Sequence, residues 1–172
     1  MGGSMRFTHN IAIITSGIIW LLVGLFLLYK GLFFTVLAKV TFMDEGYPLF
    51  NVLAKIKQDP ETVALISVTL ALVVGLIKGR FALAKSAKRT VARLVSTPAP
   101  LKPKDVFPIP YILLVMLMML LGMSLKYFNV PYDVRGFVDV AVGSALINGA
   151  IIYFKLVSSL KREYVRKNKR VY

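Results

Sequence analysis

Asn148 and Ser144 stand one helical turn apart inside a long apolar run, and they are the side chains best suited to meet a polar solute within a membrane. An amide in lipid must find a hydrogen-bond partner. The pair therefore either ties one helix to another or lines a hydrated pathway, with Ser67 and Thr69 as further polar candidates. Lys30 is a cation about twenty residues into the first apolar run. Its position favours snorkelling to an outer interface over a role as a pathway cation. Asp139 is the only carboxylate inside any expected span. With Lys126, Asp133 and Arg135 it reads as a surface charge cluster of small energetic weight.

Other chemistry is poorly supplied. The sequence holds no cysteine and one histidine, His9, ahead of the first apolar run. No thiolate site, Ser–His pair, paired carboxylates or phosphate-binding glycine loop can be assembled, so the expected class is not an enzyme and no cofactor or metal is implied. Met116, Met118, Met119 and Met123 form a stripe that would suit Cu(I). Without cysteine partners, methionine as a gap-filler is the simpler reading.

The elements that must carry these residues are four apolar stretches, at about 11–36, 62–77, 106–125 and 137–157. A bilayer core about 30 Å thick takes about 20 residues of helix, and the second stretch falls slightly short. Composition agrees: 57% of residues are hydrophobic and the mean hydropathy is +0.70, above the ~45–50% apolar content of a soluble domain. The expected fold class is all-α: a polytopic integral membrane protein of four transmembrane helices, forming one domain over 6–172. Residues 1–5 read as an added leader ahead of a native initiator at Met5, and the first apolar run is too long for a removable signal peptide.

Charge orients the chain. The net charge is +14. Between Lys78 and Val106 eight positives face Asp105, and from Lys155 onward seven face Glu163, whereas the other two connections are balanced. Positive residues are retained on the cytoplasmic side of short loops. Four crossings therefore place both termini, the basic loop 78–105 and the basic tail 158–172 in the cytoplasm, with the plasma (inner) membrane as the expected site. Lys78, Arg80, Lys85, Lys88 and Arg89 are expected to contact anionic lipid headgroups. The sequence carries no recognisable nucleic-acid motif.

Small residues mark the packing faces. Gly17, Gly24 and Gly31 recur every seven residues, and Ala141, Ala145 and Gly149 every four, as in helices that approach closely in lipid. Asp59, Pro60 and Glu61 form a helix start. Residues 48–57 are expected to form a short helix lying flat in the headgroup region, with Leu49, Phe50, Leu53 and Ile56 on one side. After Lys78 the sequence remains helix-compatible to Arg93, with Gly79 as a bend, until prolines from Pro98 to Pro110 impose an irregular connector.

Phe81–Arg89 and Phe154–Arg162 share five of nine residues at one offset. This raises an internal duplication, two parallel hairpins about a pseudo-twofold axis, as seen in transporters. Coincidence in a biased composition is the other explanation. The functional expectation is a small transporter or channel for an ion or solute, working as a homo-oligomer. The alternative is a non-transporting scaffold or accessory subunit that grips lipid or a partner membrane protein.

Overall fold

The computed structural model describes residues 2–41, 46–56, 59–83, 85, 89, 91–92 and 109–168. Among them the chain is all-helical, without strands. Helix α1 spans Gly2–Val40, α2 Pro48–Ala54, α3 Pro60–Lys78, α4 Ile109–Tyr127 and α5 Tyr132–Asn168. A π-helical turn, Gly79–Leu83, continues from α3. Lys85, Arg89, Val91 and Ala92 are helical beyond it. The proline-rich connector lies outside the described residues as far as position 108, as do Lys88 and the last four residues.

Among the described residues three segments are long and apolar enough to cross a membrane: Ile13–Val40, Pro60–Phe81 and Tyr132–Ser159. They point to a membrane-embedded protein. In α4 the described apolar part, Met116–Tyr127, is shorter. Three of the four expected spans therefore qualify among the described residues, and the fourth is not shown by them.

The local starts and stops follow the sequence chemistry. Asp59 accepts from the Thr62 backbone N–H at 2.9 Å and from its hydroxyl at 2.7 Å, with Pro60 in the first turn of α3. Glu61, in the same turn, also pairs with Lys39 of α1 at 3.3 Å. At the other end of α4, Asn129 takes φ 48° and the Val130 N–H reaches the Leu125 carbonyl at 3.1 Å. That left-handed residue ends α4 and lets Pro131 lead into α5 within a few residues.

α5 is the central element, packed on α1 along most of its length and on α3 over its middle. Each contact is close because glycine removes the side chain between backbones. A Cβ on Gly24 would stand 2.9 Å from the Gly143 carbonyl oxygen, and one on Gly31 would stand 2.6 Å from the Val140 nitrogen. Gly17 meets Tyr153 and Phe154. These pairs run in opposite senses along the two helices, so α1 and α5 are antiparallel. On α3, a Cβ at Gly75 would collide with the Ala141 carbonyl and the Ser144 hydroxyl, and Gly79 meets Ala145. These pairs advance together, so α3 and α5 are parallel.

α2 departs from the flat interfacial helix expected. It is shorter, ending at Ala54, and Ile56 lies exposed beyond it. Phe50 and Leu53 are buried with Ala38, Tyr47 and Val63 in a small core over the ends of α1 and α3. The apolar face that was to enter lipid is used by the protein itself.

Candidate functional site

Two carboxylates near the start of α5 replace the surface cluster expected there, because both are buried. Asp133 is fully buried. Its Oδ2 accepts the N–H groups of Leu49 at 2.8 Å and Phe50 at 3.1 Å, and its Oδ1 accepts the N–H of Val134 at 2.7 Å. These are the unpaired donors at the start of α2, so Asp133 pins that helix to α5. Asp139 lies about two turns further along α5, within the apolar span. Its Oδ2 stands 3.2 Å from the Lys30 ammonium, and its side chain is only 9% exposed against 33% for Lys30.

The Lys30–Asp139 pair belongs to a larger arrangement. The Lys30 ammonium is 5.4 Å from the centroid of the Phe34 ring, one turn along α1. The Arg135 guanidinium is 4.5 Å from the same centroid and 5.7 Å from that of Tyr132. The two rings stack at 5.8 Å. A cation against an aromatic face gains electrostatic attraction, more so where water is scarce. Lys30 thus reaches sideways to a carboxylate on α5 and to an aromatic face, a geometry that simple snorkelling does not require. Two cations, one carboxylate and two rings share this part of the α1–α5 seam. Charged groups within membrane-spanning segments are costly unless paired, and they commonly mark ion or substrate routes.

The other polar candidates are engaged with backbone. The Asn148 amide donates to the Leu76 carbonyl of α3 at 3.2 Å, and the Ser144 hydroxyl donates to the Ala141 carbonyl of its own helix at 3.0 Å. Leu76 lies one turn before the π-helical turn, where i→i−4 pairing changes and a carbonyl can take a side-chain donor. Thr69 donates to Leu65 at 2.8 Å, and Ser67 is buried with no hydrogen-bond partner among the described residues. The structure places Asn148 and Ser144 on the α3 side of α5, apart from Lys30 and Asp139 on its α1 side. Nothing in the spacing of residues along either helix pairs Lys30 with Asp139; the Gly31–Val140 contact, which sets the two helices in register, brings these neighbouring residues together.

The remaining expected site residues sort by element. Lys78, Arg80, Lys85 and Arg89 are all exposed. Gly17, Gly24 and Gly31 lie in the α1–α5 seam, while Ala141 faces Gly75 of α3 and Ala145 faces Gly79 of the π-helical turn. Gly149 is buried. Met116 and Met123 are exposed on α4, Met118 is half-buried, and the Met119 side chain lies outside the described residues. No group of three or more His, Cys, Asp or Glu side chains that could hold a metal occurs among the described residues.

Fold and site together define a helical membrane-embedded protein with a charged pair inside its main helix–helix seam. No known protein family, curated protein or solved structure matches this chain.

Proposed function

We propose that the chain is a small transporter or channel for an ion or solute, acting as a homo-oligomer rather than as an enzyme, with Lys30 and Asp139 as the charged centre of its pathway. The observation that carries this reading is the 3.2 Å pair between two helices whose segments Ile13–Val40 and Tyr132–Ser159 are each long and apolar enough to cross a membrane. Its partial exposure at Lys30 gives a solute or a second subunit access to one half of the pair. Asn148 and Ser144 become secondary in this reading, because both already hydrogen-bond to carbonyls. The same proposal has α4 as a fourth crossing and both termini, the loop 78–105 and the tail on the cytoplasmic side, in the plasma (inner) membrane. The parallel course of α3 and α5 is what two duplicated hairpins would require, and it supports that part of the reading.

The test is ion and solute flux in liposomes of purified protein, wild type against Asp139→Asn. Flux in wild type that falls in the variant, with folding retained, supports a pathway at the pair. Flux that survives the substitution intact removes the pair from the pathway. A wild type inert to cations and anions alike favours the second reading, a membrane scaffold or accessory subunit. The Asn148–Leu76 bond favours that second reading, since it spends the deepest amide on helix packing.

A further inference from the structure

α1, α3 and α5 share one end of the bundle, where Ala38, Val63 and the start of α5 meet α2. Toward that end, charge is unbalanced on the α1 side of α5. Tyr132, Arg135, Gly136, Asp139 and Val140 recur at helical spacing and so lie on one face of α5. This face meets α1 where Gly136 approaches Thr35 and Gly31, and Gly31 approaches Val140. Lys30 and Phe34 flank the contact on α1.

The described residues give this face two cations, Lys30 and Arg135, and one carboxylate, Asp139. Asp139 is taken by Lys30 at 3.2 Å. Asp133, two residues before Arg135, is already occupied: its oxygens accept the backbone N–H groups of Leu49, Phe50 and Val134. Among the described residues no carboxylate pairs with Arg135, and its guanidinium donates no hydrogen bond. The face is left with one positive charge in excess.

Arg135 has aromatic rings in place of an acceptor. Its guanidinium lies 4.5 Å from the Phe34 centroid and 5.7 Å from that of Tyr132, and the side chain is half-buried. A ring face attracts the charge but leaves the five N–H donors of the fork without a lone pair to meet. Stacking holds the fork in place, so less freedom is lost when a ligand takes its donors. Beside the same ring stands the Lys30 ammonium, with a third of its side chain open. A held guanidinium with unspent donors is suited to grip a carboxylate or phosphate group through two parallel bonds. A single negative charge would neutralise the excess.

We propose that Arg135 and Lys30 form a binding site for a singly charged oxyanion, a carboxylate or a phosphodiester, with Phe34 and Tyr132 holding the guanidinium. A free solute and a phospholipid headgroup share this chemistry. The site goes beyond the pathway reading: a scaffold would bind the same group without moving it, so binding and flux fail separately.

The experiment therefore reads binding. Full-length protein in dodecyl maltoside is unfolded by heat at rising concentrations of dimethyl phosphate or acetate, with ionic strength held constant by sodium chloride. A ligand of the folded state raises Tm as its concentration rises. In a second arm, phosphatidylglycerol retained on purified protein is counted in the K78Q/R80Q/K85Q/R89Q background, which removes the exposed cations after α3. A free solute is the source if either small anion raises Tm and Arg135→Gln needs about tenfold more of it, or worse, for the same rise. A headgroup is the source if neither small anion acts but retained phosphatidylglycerol saturates and falls on adding Arg135→Gln. No response in both arms overturns the proposal, as does a response that Arg135→Gln leaves unchanged. Should Arg135→Gln fail to fold, Arg135→Lys replaces it. It keeps the charge, lacks the planar fork, and should still bind several-fold more weakly. Equal binding by Arg135→Lys then overturns the proposal.

Discussion

The α1–α5 seam and the α3 face solve the same packing problem with different consequences. Both use small residues to bring backbones together, Gly24 against Gly143 in one and Gly75 against Ala141 in the other. The seam runs most of the length of two long apolar helices and encloses the Lys30–Asp139 pair. The α3 contact covers the middle of α5, is fastened by one amide, and passes into a π-helical turn and a row of cations. Length makes the difference. A long seam can bury a charge pair among rings and backbone, whereas the shorter α3 reaches its last residues beside the middle of α5, where Gly79 meets Ala145.

The most severe way to break the comparison is to push the seam apart. Gly24→Leu should destabilise the protein at or beyond the top of the range of about 1–3 kcal/mol for overpacking, because main-chain atoms stand where the side chain must go. Gly122→Leu, on α4 where nothing among the described residues approaches within 4 Å, should leave stability unchanged. Thermal unfolding of both in one detergent checks the contrast, and equal losses would deny the seam its special role.

A smaller effect is expected inside the seam. Asp139→Ala strands the Lys30 ammonium and should cost about 2 kcal/mol, less than the ~3–5 kcal/mol of a fully buried pair, since a third of Lys30 remains exposed. Replacing both by leucine should recover part of the loss. A double variant no better than Asp139→Ala would show that the pair does not act as a unit.

At the shared outer end, Asp133→Ala removes the acceptor of two α2 donors. Loss of such a cap costs about 0.5–2 kcal/mol, and here it should appear locally as faster hydrogen exchange across Pro48–Ala54. Exchange unchanged in α2 would mean that its burial against Ala38 and Val63 holds it without the carboxylate.

The least effect belongs to the α3 fastening. Asn148→Leu should lower stability by about 1 kcal/mol, typical of one hydrogen bond between helices in lipid. A loss as large as that at Gly24 would make α3 an equal partner in the bundle, and the contrast between the two faces would narrow.

The sequence by itself determined a good deal. Hydropathy marked four apolar stretches, three of which coincide with segments able to cross a membrane among the described residues, because apolar length is a property of consecutive residues. The Asp59–Pro60–Glu61 start of α3 was legible for the same reason, since a cap needs only its neighbours. The periodic glycines marked close-packing faces without naming what would lie against them. Tertiary structure decided the partners. Lys30 and Asp139 are over a hundred positions apart, and their meeting depends on the antiparallel register of α1 and α5, which glycine contacts set in space. Asp133 reads as a surface charge until α2 folds back over it, and α2 reads as a membrane-surface helix until the ends of α1 and α3 offer its apolar face a closer partner. The level of Lys78 and Arg80 beside Ala145 of α5 was likewise hidden, because a sequence gives each helix its length but not the level at which one helix stops beside another.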